Sequence, residues 1–220
     1  MSTQHSVRFA GTVLGTFFAL IVMSALGVAA AANAVAQEVV AIAVGGPAQS
    51  NASGGDHSFV ADEDFSGGGD NGAVTTTINL TQPGANAAPM GVYQNGRAGV
   101  FTYTIPGLTA GSSYSVLLHF AETYFTAKGD REFNVAINGT TVLTNFDIFG
   151  TVGAKDAALV EIFTATANSS GDIVIAFTAG AVNQPSLWGL KSGAHPPVAP
   201  PILRPQQASQ QRQLPRVRSG

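Results

Sequence analysis

The chain has 220 residues, with 10 Lys and Arg against 13 Asp and Glu, a formal net charge of −3, and 26 Gly. It has no cysteine, which excludes disulfides, thiolate metal sites and a cysteine nucleophile. Charged residues are 10% of the chain, and with so much glycine this composition predicts a turn-rich all-β domain rather than a helical bundle.

In chain order, the first element is a targeting segment. Arg8 lies in a short polar start, and no charged residue follows from Phe9 to Gln37. Residues 13–23 are strongly apolar and lead into Ala34-Val35-Ala36, with Ala32-Asn33-Ala34 as a second small-residue site. A positive start, an apolar run and an Ala-x-Ala site read as a secretory signal peptide over 1–36. The alternative is an uncleaved membrane anchor, since about 20 apolar residues span a bilayer. Either way the remainder is expected outside the cytoplasm, secreted or in the periplasm or cell envelope. Membrane contact is expected only through this segment, and only if it stays attached.

Residues 37–193 show no long helical periodicity. They show short period-two runs separated by Gly, Pro and Asn. The run 114–120 puts Tyr114, Val116, Leu118 and Phe120 on one face. The run 132–137 does the same with Phe133, Val135 and Ile137, and 172–177 with Ile173, Ile175 and Phe177. Asn138-Gly139 is a hairpin turn into 141–143. Further strands are predicted at 39–44, 74–80, 100–104, 159–166 and 187–191. Strands at this spacing imply two packed antiparallel sheets, a β-sandwich. Trp188 is assigned to its core, with sugar stacking as the alternative. The Gly-rich stretches 45–55 and 67–72 read as loops, where a binding site would be built.

Residues 194–220 hold six Pro, five Gln and four Arg and no acidic or aromatic residue. That composition reads as a disordered tail. It carries a formal +4, whereas 37–195 hold 13 acidic and 5 basic side chains, a formal −8. The sign of the body excludes nucleic acid as its partner.

The residues offer little for catalysis. Asp62-Glu63-Asp64, Glu122 and Asp130 could supply a carboxylate pair for glycoside hydrolysis, but acidic loop residues are more often solvated or turn-forming. Asp62, Asp64 and Asp70 do not have EF-hand spacing, so no metal is expected. His119, within an apolar strand, reads as a satisfied strand histidine rather than a base or ligand. There is no Gly-x-Ser-x-Gly, and no cofactor-binding glycine motif opens a helix. Neither a catalytic residue nor a cofactor is expected.

One stretch carries a resemblance. His119-Phe120-Ala121-Glu122-Thr123-Tyr124-Phe125 resembles the signature of the malectin family, followed by a similar Arg131-Glu132-Phe133-Asn134-Val135-Ala136-Ile137-Asn138-Gly139. Asn145-Phe146-Asp147-Ile148-Phe149 with Val152-Gly153, Phe59-Val60-Ala61-Asp62, Tyr93-Gln94-Asn95-Gly96-Arg97 and Asn183-Gln184-Pro185 are similar to further family segments in the same order. The resemblance implies a jelly-roll-like, galactose-binding-domain-like sandwich over about residues 39–192. It further implies a non-catalytic module that binds α-glucan-like oligosaccharides through loops at one end. Carried over by position, the implied ligand residues are Phe59, Tyr93, Tyr124, Phe125 and Asn183. Three positions depart from the family pattern. Phe59 stands for a tyrosine, Asn183 for an aspartate, and Val44-Gly45-Gly46 lacks a preceding asparagine. A structural or adhesive envelope protein that keeps the sandwich without the sugar site is the alternative.

Overall fold

The structure is a computed structural model, and it describes residues 38–50 and 58–194. The expected signal or anchor at 1–36 and the expected tail beyond Ala194 lie outside the described residues. Among the described residues there are ten strands: β1 (Glu38–Ala43), β2 (Phe65–Asp70), β3 (Arg97–Ile105), β4 (Ser113–Ala121), β5 (Glu132–Ile137), β6 (Thr140–Phe146), β7 (Ala158–Thr166), β8 (Ile173–Val182), β9 (Ser186–Leu187) and β10 (Gly189–Ala194). Two short helices, α1 (Met90–Tyr93) and α2 (Ile148–Val152), lie in connections. Among the described residues no helix is long and apolar enough to cross a membrane.

The strands form two antiparallel sheets, as the alternation predicted. One has the order β1-β10-β4-β7, and the other β2-β3-β8-β5-β6 with β9 paired to β3. The faces that alternate in sequence meet between them. Val116, Leu118 and Phe120 of β4 and Phe133 and Val135 of β5 are fully buried, as are Ile173, Ile175 and Phe177 of β8. Aromatic rings fill the gap. Phe101 stacks on Phe177 with centroids 4.5 Å apart, and Phe120, Phe133 and Phe146 form a triangle with centroids 5.1–5.9 Å apart. Such offset and edge contacts add to the burial of the rings themselves. Trp188 is buried between the sheets. Its N–H donates to the His119 carbonyl and its own carbonyl accepts from Val44, so it fastens β9–β10 to both β1 and β4.

Two expectations are corrected. Residues 74–80 do not form a strand: β2 already occupies the edge beside β3, and only Asn79 makes a bridge, to Ala157. Part of the expected loop 67–72 instead belongs to β2, whose bulge between Gly67 and Gly69 places Gly67 and Gly68 at φ of 78° and 63°. A Cβ at either would press on a β3 carbonyl, so glycine there permits pairing. Ala194, the last described residue, pairs with Tyr114 in β10.

Candidate functional site

The connections after β4, β6 and β8 and before β3 meet at one end of the sandwich. Here β4 ends in Ala121, and its next residue, Glu122, is buried. The Glu122 carboxylate is fully engaged. Oε1 accepts the backbone N–H groups of Tyr124 at 2.9 Å and Phe125 at 3.1 Å, and Oε2 accepts Arg131 Nε–H at 2.7 Å. Arg131 is buried too, and its Nη1 donates to the Gln184 carbonyl at 2.9 Å and to Ser186 Oγ at 2.8 Å. One ion pair thereby joins the loop after β4, the start of β5 and the β8–β9 connection. A charged pair out of water holds together only when its remaining donors and acceptors are satisfied, as they are here.

Above this pair the loop turns, and the two adjacent aromatics diverge. Tyr124 is 74% exposed. Phe125 is half-buried, edge-on to Tyr124 with centroids 4.8 Å apart and with the Arg131 guanidinium 4.9 Å from its centroid. Asn183, at φ 62°, is exposed, and its amide donates to the Asp130 carbonyl at 3.1 Å. Tyr124 and Phe125 thus meet above Arg131, and Asn183 is tied to the neighbouring Asp130.

Phe59 and Tyr93 lie elsewhere. Phe59 is 2% exposed, its backbone pairs with Gln49, and its ring meets the His119 ring edge-on at 5.6 Å. Tyr93, at the end of α1, is fully buried. Its hydroxyl accepts from Ala88 N–H and lies 2.9 Å from His119 Nδ1. Burial holds this phenol well above the ordinary tyrosine range, so it stays protonated. Both rings enclose His119, whose Nδ1 faces the Tyr93 hydroxyl, and neither presents a face to solvent.

A second polar cluster was not singled out from the sequence. Arg97, the first residue of β3, donates through Nε and Nη2 to Asp62 Oδ2, and Tyr103 donates to Asp62 Oδ1 at 2.5 Å. The Arg97 guanidinium lies 3.4 Å from the centroid of Phe65, which is 42% exposed. An open groove of about 380 Å³ runs past Gly45, Gly46, Pro47, Asp62, Phe65, Asp70 and Arg97. The two clusters flank β9: Arg97 pairs with Leu187, and Arg131 holds Ser186. Phe65 and Arg131 left weak signals in the sequence. Phe65 stands before a run read as loop, and Arg131 sat inside a quoted motif with no role assigned.

Two of the carboxylates weighed for chemistry are committed. Glu122 is bound to Arg131 and two amides, and Asp62 to Arg97 and Tyr103. Among the described residues no group of three or more His, Asp or Glu is placed to hold a metal ion.

The comparisons with known proteins converge. A family model described as "Malectin domain" matches residues 38–187. Receptor-like protein 4 of Arabidopsis thaliana is 41% identical over 103 residues, 43% of this chain and 16% of the relative. Malectin-B of Xenopus laevis is 40% identical over 57 residues, 26% of this chain and 20% of the relative. The ANX1 ectodomain of Arabidopsis thaliana superposes with a TM-score of 0.66 at 19% identity, covering 76% of this chain and 52% of that one. The chain thus spans a fifth or less of these two curated relatives and about half of the solved ectodomain.

Proposed function

The chain belongs to the malectin-domain family, and from that premise we propose that it is an exported, non-catalytic carbohydrate-binding module whose ligand sits on the Tyr124–Phe125 rim. The observation that carries this reading is an aromatic ring held out to solvent by a buried clamp. Tyr124 is 74% exposed, yet its backbone N–H is fixed by Glu122. A pyranose presents a face of C–H groups and a rim of hydroxyls. The Tyr124 ring covers the face, while the Tyr124 hydroxyl and the Asn183 side chain meet the rim. Phe65 and Asp70, in the groove across β9, supply a further aromatic edge and an acceptor. An oligosaccharide of α-linked glucose is the ligand class that the resemblance suggests. The commitment of Glu122 and Asp62 to arginines supports binding without hydrolysis.

Titration calorimetry of the full chain with maltose, nigerose and longer α-glucans tests this, alongside Tyr124→Ala. The expected result is saturable binding that weakens at least about tenfold in the variant, the loss of roughly 1.4 kcal/mol, with its thermal midpoint unchanged. Affinity that survives the substitution would remove the site from Tyr124. A second reading, a structural or adhesive envelope protein, is favoured by one observation: Phe59 and Tyr93 turn inward and shorten the exposed aromatic set. No heat with any glucan would support it.

A further inference from the structure

The groove beside Phe65 is built differently from the rim, and Tyr124, Phe125 and Asn183 do not line it. Phe65 opens β2 opposite Tyr103, and the two rings lean together with centroids 6.1 Å apart. One face of the Phe65 ring is closed by the Arg97 guanidinium, yet the residue keeps much of its surface in solvent. Arg97 is itself fixed. Its Nε and Nη2 donate to Asp62, and its Nη1 donates to the Gly67 carbonyl at 3.2 Å. The ring is therefore a platform that does not have to be ordered when a ligand arrives. Around it the walls are low, made of Gly45, Gly46, Pro47 and Ala61.

The charges of this lining are Asp62, Asp70 and Arg97. Asp62 and Arg97 form a nearly buried ion pair and offset each other. Asp70 is different: its side chain is 72% exposed, and its Oδ1 stands 3.6 Å from Arg97 Nη2. Glu63 and Asp64, just before β2, are also exposed and carry the same sign. An incoming sugar thus meets a ring and a negatively charged acceptor.

We propose that this groove is a saccharide subsite and that Asp70 is its specificity-determining residue, ranking sugars by charge: ammonium-bearing before neutral, and neutral before acidic. The inference rests on the carbohydrate reading above. A pyranose lays its C–H face on the open side of Phe65 and donates a hydroxyl to Asp70. An ammonium group adds a charge-assisted hydrogen bond to the same carboxylate. A sugar carboxylate meets Asp70 as a like charge. In water-like surroundings one pair of unit charges about 4 Å apart changes affinity by about fivefold.

The test uses three forms of one maltooligosaccharide that differ at C6 alone, as hydroxymethyl, aminomethyl or carboxylate. Each is titrated calorimetrically into the full chain. Affinity is expected to fall in the order aminomethyl, hydroxymethyl, carboxylate, by about fivefold at each step. Asp70→Asn should compress both steps. Phe65→Leu, which keeps a cover over Arg97 but removes the flat face, should weaken all three forms by about two- to tenfold. Because the body as a whole is acidic, Asp172→Asn serves as the control for net charge. Asp70 pairs with Arg97 at the start of β3, whereas Asp172 precedes Ile173, which pairs with Ile105 at its end. The two carboxylates stand roughly 25 Å apart, about three Debye lengths at physiological salt, so Asp172→Asn should leave the steps at their wild-type size. Equal affinity for the three forms overturns the inference, as do steps unmoved by Asp70→Asn or moved as far by Asp172→Asn. Unaltered affinity in Phe65→Leu also overturns it. Each of these results leaves the carbohydrate reading standing, whereas no heat with any form removes both together.

Discussion

Replacing Glu122 by Gln removes a negative charge while keeping the shape, and its consequences follow from the three shortest of its hydrogen bonds. Oε1 accepts from two backbone amides and Oε2 from Arg131. An amide has one acceptor oxygen, so its NH2 must face either the two loop N–H groups or the guanidinium. Both orientations oppose donor to donor. Arg131 is then left 6% exposed without its counter-charge, and breaking a buried pair from one side costs about 3–5 kcal/mol. For a domain of this size the midpoint should fall by roughly 6–20 °C. Differential scanning calorimetry of the full chain reads this, with glucan titration performed well below the lowered midpoint. The companion variant Glu122→Leu with Arg131→Met removes both charges and should recover a large part of the stability. It still leaves the Tyr124 and Phe125 amides without an acceptor, so sugar affinity should remain reduced. A midpoint shift of less than about 2 °C in Glu122→Gln, corresponding to under 1 kcal/mol, would refute the view that this pair is a charged clamp.

Other perturbations probe separate parts of the molecule. Gly45→Ala places a Cβ against the Gly96 carbonyl at a residue with φ 66°, and urea unfolding should show a loss of roughly 2–5 kcal/mol. Tyr93→Phe removes the hydroxyl that joins Ala88 to His119, with an expected loss of about 1–3 kcal/mol; unchanged stability would show that this contact is dispensable. Glu161, half-buried on β7, has its carboxyl raised above the ordinary glutamate range by desolvation. Because the folded-state value is the higher one, its ionisation works against folding above that value, and the penalty disappears as pH falls through it. Glu161→Gln should therefore be the more stable protein at pH 7, with the difference closing in acid; a difference that widens in acid contradicts the sign.

Much of the fold was legible because the core strands are buried on one face and half-exposed on the other. The period-two rows of β4, β5 and β8 mark their inward sides directly, and Asn138-Gly139 marks the hairpin between β5 and β6. β2 was not legible. Its six residues, Phe-Ser-Gly-Gly-Gly-Asp, are all exposed and carry no alternation. They form a strand because β3 offers an edge, and pairing of this kind is written in the partner. The opposite error at 74–80 has the same origin: Thr75, Thr76 and Thr77 have strand propensity, but β2 already fills that edge. At the site, an aromatic's chemistry is visible in sequence while its direction is not. Phe59 and Tyr93 look as suitable for stacking as Tyr124 until His119 is found between them. Glu122 shows the same limit, since a carboxylate in a loop gives no sign of the arginine nine residues on that engages it.

The Asn138 side chain does more than turn a hairpin. Its amide nitrogen donates to the Thr166 carbonyl at 2.7 Å and its oxygen accepts from Val174 N–H at 2.8 Å, so one residue stitches the β5–β6 turn to strands of both sheets. Asn138-Gly139-Thr140 is also an acceptor sequence for N-linked glycan, which would be attached through that same nitrogen. A glycan would replace one of that nitrogen's two hydrogens, so the single N–H left would have to be the one aimed at the Thr166 carbonyl. A glycan at Asn138 would therefore set the direction of its own exit, since the stitch across the two sheets fixes which of the two N–H positions is open to it.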